Sequence, residues 1–254
     1  MYSFDKNSFK NILRNLGIQK GDRLFIHSSV VTLGRFSKVD DIIGAFLEAI
    51  DYEGIIVMPT YSCSIWPKAR VFDPIKTKAE TGNLPNEFLK LKGVRRSIQG
   101  NHSIAALGDQ KDRIVHDWVS SSFSKESSIF KTIDQGFKNV MIGTKYSNGC
   151  SIFHCIEEEL QVPYRYYKSF PGIVRLQDGS EREFDFKMFV RDLNYKCDFQ
   201  QCASLIDNSN YVKEATYNYG KIRVFPLQDV YLLIKKALHN NPELFLVDKD
   251  ATIS

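Results

Sequence analysis

The chain has 254 residues, of which 43% are hydrophobic and 25% charged, and its formal net charge is +4. That length and balance can bury a substantial core in one large domain or two closely packed lobes, and they exclude a disordered or low-complexity chain. A membrane span is excluded too, because no stretch approaches the roughly 18 uninterrupted apolar residues it requires.

In chain order, residues 5–16 carry apolar side chains at three-to-four-residue spacing and predict a helix. RLFIH at 23–27 predicts a buried strand, followed by a helix over 39–50 and a second strand, IIVMP, at 55–59. A helix over 84–91 precedes the strand IAAL at 104–107, and a helix over 127–135 precedes the strand VMIG at 140–143. A helix over 151–161 closes this alternation, which is that of an α/β fold. Beyond Pro163 the texture changes: Asp178-Gly179 sits between two alternating runs and predicts a hairpin. A helix near 199–206, a strand near 222–226 and a helix over 229–238 follow. With no repeat or linker, residues 1–254 read as a single domain, with 1–165 as the catalytic core and 166–254 as a completing subdomain.

Histidines and small polar residues gather where these strands begin and end. They are His27-Ser28-Ser29, Thr60-Tyr61, His102-Ser103 and the segment 144–151. In α/β folds such positions converge on a crevice that holds ligands, although a turn or helix cap is the commoner fate of each hydroxyl. The decapeptide SIFHCIEEEL at 151–160 adds a titratable group. On a helix, His154 lies beside Glu157 and Glu158, while Phe153, Ile156 and Leu160 mark an apolar side. That spacing suits a base with its carboxylate and equally a solvated charged face.

Five cysteines, odd in number and without a C-x-x-C pair, suit reduced thiols and a cytoplasmic location; the opening segment also lacks a signal-peptide h-region. No metal is expected, since His27, His102 and His154 show neither H-x-H nor H-E-x-x-H spacing.

Five blocks stand in order: GDRLFIHSSVVTLG, EGIIVMPTYS, RRSIQGNHSIAALG, the stretch from 127 that ends VMIGT, and SIFHCIEEELQVPYR. Their order and spacing resemble the aminoglycoside 3-N-acetyltransferase family over roughly residues 8–175. The resemblance implies a mixed sheet flanked by helices, distinct from the GNAT fold, and transfer of acetyl from acetyl-CoA to a sugar amine. The family's leucine-histidine-x-x-glutamate block is similar to Phe153-His154-x-x-Glu157, casting His154 as general base and Glu157 as the group that holds its tautomer. An imidazole of ordinary pKa, about 6.5, accepts a proton near neutral pH.

His102 is a further catalytic candidate, in a supporting or CoA-contacting role. His27, Ser28, Ser29, Thr60 and Ser103 are expected to bind acetyl-CoA, and oxyanion donors are expected from the 27–29 and 102–103 loops. No cysteine is placed beside a base with support comparable to that for His154, and Cys155, its neighbour in sequence, points about 100° round the helix, which favours direct transfer over an acyl-enzyme. Where many members carry His-Pro, this chain reads Gln99-Gly100, and its 62–85 loop is shorter than in drug-modifying members.

The +4 charge and the basic segments KLKGVRR (90–96) and PYRYYK (163–168) suit anionic ligands. The expected acceptor is therefore an amino sugar linked to a nucleotide or belonging to a surface-polysaccharide precursor. Aminoglycoside acetylation is the alternative, as is a CoA- or sugar-binding protein without activity. Nucleic-acid and membrane partners are not expected, and a homodimer is compatible with the chain.

Overall fold

The computed structural model of the chain describes residues 2–65, 70–115 and 118–247. Its strands are β1 (Arg23–Ser28), β2 (Ile55–Pro59), β3 (Val71–Phe72), β4 (Arg95–Arg96), β5 (Ile104–Leu107), β6 (Lys138–Ile142), β7 (Arg165–Arg175), β8 (Glu181–Arg191), β9 (Lys213–Tyr217) and β10 (Gly220–Pro226). Its helices are α1 (Lys6–Asn15), α2 (Asp40–Ala49), α3 (Asn83–Phe88), α4 (Lys111–Ile114), α5 (Ser128–Asp134), α6 (Tyr146–Gly149), α7 (Ile152–Leu160), α8 (Ala203–Asp207) and α9 (Leu227–Asn240).

Among the described residues, seven strands form one sheet in the order β4-β5-β2-β1-β6-β10-β9. β1 takes the centre because it is apolar on both faces, and it runs parallel to both β2 and β6. β5 and β10 are antiparallel to their inner neighbours, so the sheet is mixed. Alternate side chains of a strand point to opposite faces. Leu24 and Ile26 accordingly pack with α1, α2 and α3, whereas Phe25 joins the core formed by α5, α7 and α9. His27, two residues after Phe25, lies on that second side with its ring 4.5 Å from the Phe25 ring.

A three-stranded sheet, β3-β7-β8, lies apart from the first. β7 and β8 form the hairpin predicted at Asp178-Gly179, with Gly179 at φ +83°, a left-handed conformation that costs glycine little. The C-terminal strands β9 and β10 extend the main sheet beside β6. Gly143, just past β6, has φ +59°, and a Cβ there would lie 2.1 Å from Thr32 Oγ1. Glycine thus lets the loop after β6 close against the turn that follows β1. Among the described residues, no helix is long and apolar enough to cross a membrane.

Candidate active site

Helix α7 carries the central pair. Phe153, Cys155 and Ile156 are fully buried. Burying a large apolar side chain contributes about 1.5–3 kcal/mol, so packing rather than helix propensity decides where the polar positions of α7 point. His154 Nδ1 lies 3.0 Å from Glu157 Oε2, the i,i+3 contact expected from the sequence. The carboxylate is wholly buried, while the imidazole side chain stays 31% exposed at the wall of a cavity of about 600 Å³.

The glutamate run is not a solvated face. Glu158 is buried and accepts hydrogen bonds from Ser121 Oγ at 2.6 and 2.7 Å. Glu159 accepts from Tyr231 and pairs with Lys235 and Lys125.

Gln161 ends α7 in the left-handed region at φ 49°, and the Val162 amide donates to Glu157 O. Pro163 cannot continue the helix, so the chain reverses into β7. This reversal brings Arg165 Nε to 2.8 Å from the same Glu157 Oε2. Arg165 was expected to meet an anionic ligand as part of a basic segment, but its side chain is only 10% exposed and pairs internally. Burial would raise the Glu157 pKa, yet His154 and Arg165 hold it below the usual carboxylate range. Burial, with Arg165 adding to it, lowers the His154 pKa although Glu157 opposes the shift.

His27, Ser28, Ser29, Tyr61, His102 and Ser151 line the same cavity as His154. Ser151 stands at the start of α7 but does not cap it. Its hydroxyl instead accepts from Tyr61 OH at 2.6 Å and lies 2.9 Å from His27 Nε2. Burial pushes the His27 pKa down to about 3, against a contact with Asn139 that favours the charged form. Burial that disfavours the charged ring makes His27 a weak base toward Ser151.

The cysteines offer no better nucleophile. Cys150 lines the cavity and Cys155 is fully buried outside its lining, and burial raises both thiols well above their ordinary pKa. The Cys63 thiol, 3.7 Å from His102 Nε2, is pushed up to about 11 by burial. Such thiols stay protonated at neutral pH.

His102 packs edge-on to Tyr61 and against Phe123, which also touches the His154 ring, and its Nδ1 lies 3.0 Å from Ser122 Oγ. Burial lowers its pKa to about 3, so it is neutral.

The structure does not bring Thr60 and Ser103 to the cavity wall. Both are buried beneath it, 3.1 Å apart between hydroxyl oxygens, and the Arg96 guanidinium donates to both. Their strand-end hydroxyls serve an internal cation, which accounts for their polarity without a ligand. Gln99, in place of the His-Pro of other members, braces the loop before β5 by donating to Ser120 O and accepting from the Asn101 amide. The lining also includes residues with no sequence signal as site residues, among them Glu80, Thr81, Gly82 and Phe199, the last with its ring centroid 4.8 Å from that of His154. Among the described residues, no group of three or more His, Cys, Asp or Glu is placed to hold a metal ion.

Comparison with known proteins bears on this geometry. The profile described as aminoglycoside 3-N-acetyltransferase matches residues 25–239. An SPbeta prophage-derived aminoglycoside N(3')-acetyltransferase-like protein, YokD, from Bacillus subtilis (strain 168) is 22% identical over 263 aligned positions, covering 93% of each chain. Solved structures with the same fold include a mutant of aminoglycoside acetyltransferase AAC(3)-IVa in complex with a gentamicin (TM-score 0.83, 22% identity, 100% of this chain and 95% of that one). Another is AAC-IIIb with CoASH (TM-score 0.82, 18% identity, 94% and 97%). With the profile spanning most of the chain, the protein belongs to the aminoglycoside 3-N-acetyltransferase family, whose mixed α/β fold is distinct from GNAT.

Proposed function

We propose that the protein transfers acetyl from acetyl-CoA to an amino group of an aminoglycoside, by direct attack within the cavity beside His154. The observation that carries the acceptor class is the charge of the wall. Among the described residues lining the cavity, none is Lys or Arg, and Glu80 is acidic. A phosphate-bearing acceptor finds no cation there, whereas a polyamine finds a carboxylate. The basic segments that suggested an anionic acceptor are largely paired within the protein, Lys90 with Glu87, Arg95 with Asp112 and Arg165 with Glu157. The family match supports the aminoglycoside over a nucleotide-linked or polysaccharide-precursor sugar. The cavity volume falls within the roughly 300–1,000 Å³ usual for small-molecule sites.

The chemistry follows from the tautomer. With Nδ1 donating to Glu157, Nε2 of His154 carries the lone pair that takes a proton from the attacking amine. The amine nitrogen bonds to the acetyl carbon, the C–S bond breaks, and the imidazolium returns its proton to the departing CoA thiolate. The Ser29 amide already donates to Ile142 O and the Tyr61 hydroxyl to Ser151 Oγ, so the Ser28 and Ser29 hydroxyls are the donors we assign to the developing oxyanion.

Release of free CoA thiol from acetyl-CoA tests the reading against gentamicin, a nucleotide-linked hexosamine and free glucosamine. Turnover with gentamicin is expected. Turnover confined to the nucleotide-linked sugar, or none with any acceptor, would overturn the assignment.

A further inference from the structure

An imidazole and a guanidinium share one carboxylate oxygen. Glu157 Oε2 faces His154 Nδ1 at 3.0 Å and Arg165 Nε at 2.8 Å, within a carboxylate wholly removed from solvent. A buried carboxylate facing an imidazole alone favours the imidazolium, because the opposite charge nearby stabilises the protonated ring. A base that already carries its proton cannot accept another from an amine. Arg165 changes that balance because its guanidinium is charged at every working pH and cancels the carboxylate. It is also fixed in place: its Nη1 group donates to Phe189 O at 3.1 Å, across the β7–β8 hairpin.

Resting on the acetyltransferase reading, we propose that Arg165 is a positioning residue that neutralises Glu157, so that the carboxylate orients the His154 ring without locking a proton onto it. The cluster then has zero net charge with the imidazole neutral and +1 once the ring takes the amine's proton. The proton is held weakly and passes on to the thiolate as the C–S bond breaks.

The other titratable groups near the cluster do not supply the charge. His102 feels both His154 and Arg165 but is kept neutral by burial. The Tyr164 phenol and the Cys197 thiol, both near Glu157, are pushed up by burial and by that carboxylate, and stay protonated. Arg165 is the permanent cation of the group. Lowered proton affinity at His154, caused by burial with Arg165 acting in the same direction, agrees with this arrangement.

The test is the titration of the His154 ring, followed by NMR of the labelled imidazole, in the wild type, Arg165→Met and Arg165→Lys. Removing the cation should raise the midpoint by about one pH unit or more, the size of a nearby-charge effect. Arg165→Lys should restore most of the wild-type value. The acid limb of kcat/KM should move upward in parallel in Arg165→Met, with KM for acetyl-CoA unchanged. Arg165→Gln, which keeps a hydrogen-bond donor, replaces Arg165→Met if the latter does not fold. An unchanged midpoint in the uncharged variant, or Arg165→Lys displaced as far as it, would overturn the proposal. The titration needs no turnover, so a lack of acetyltransferase activity would refute the functional reading while this measurement still decides the role of Arg165.

Discussion

Glu80 places one carboxylate at the wall of a cavity whose described lining has no Lys or Arg. For a polycationic acceptor this is an exposed ion pair, worth about 0.2–1 kcal/mol, so Glu80→Gln should raise the acceptor KM about two- to fivefold. kcat and the KM for acetyl-CoA should hold, and the effect should fade as salt screens the pair. Steady-state kinetics at low and high salt check this.

Glu157 is a different case, being buried between the His154 imidazole and the Arg165 guanidinium. Glu157→Gln should lower kcat less than loss of the imidazole does. It should also lower the melting temperature, because stranding one partner of a buried ion pair costs about 3–5 kcal/mol. The pairing of His154 with Glu157 was legible in the sequence because i,i+3 geometry is local. Arg165 was not, because its contact depends on a chain reversal at Pro163. Thr60 and Ser103 misled because Arg96, distant from Thr60 in sequence, takes up both hydroxyls.

At the level of the element, the three glutamates of α7 do not titrate alike: Glu157 and Glu159 are held low, Glu158 is raised. Burial raises the Glu158 pKa, more than its hydrogen bonds from Ser121 and Tyr167 lower it. A raised carboxylate pKa means that the native state binds its proton more tightly, so this group's contribution to stability falls as pH rises above the unfolded value of about 4.3. Glu158→Gln should therefore leave the melting temperature at pH 7 unchanged or higher.

Glu159 is reversed: burial would raise its pKa, but Tyr231, Lys235 and Lys125 overcome that and hold it at about 2. Its stabilisation is present above the unfolded pKa and lost as pH falls through about 2. Glu159→Gln should cost about 1–2 kcal/mol at pH 7, with the deficit against wild type shrinking between about pH 5 and pH 2. Thermal melts across that range decide both. The sequence showed the helix and its apolar side, but not that residues 121–126 and α9 would cover its charged side. That cover is tertiary, and local spacing does not encode it.

Across the whole molecule, the central strands were readable because burial on both faces leaves continuous apolar runs, as at Ile55–Pro59. β9 escaped notice because it is a charged sheet edge, and β3, β4, α4 and α6 because two to four residues carry no period. The loop after β1, the loop after β2, the segment before β5 and the start of α7 meet at the site, so those members were visible singly and their convergence only through the fold, while Glu80 and Phe199 join from segments with no such signal.

Donor binding and chemistry should separate on this frame. Acetyl-CoA should raise the melting temperature of the wild type and of His154→Ala alike, since ligand bound to the native state stabilises it by mass action. The decisive measurement is kcat for thiol release from acetyl-CoA with gentamicin in folded His154→Ala. A fall of about 10² to 10⁴ with the acetyl-CoA melting shift intact is the predicted result. A variant that folds, binds donor and keeps most of its turnover would contradict the assignment of His154 as the base.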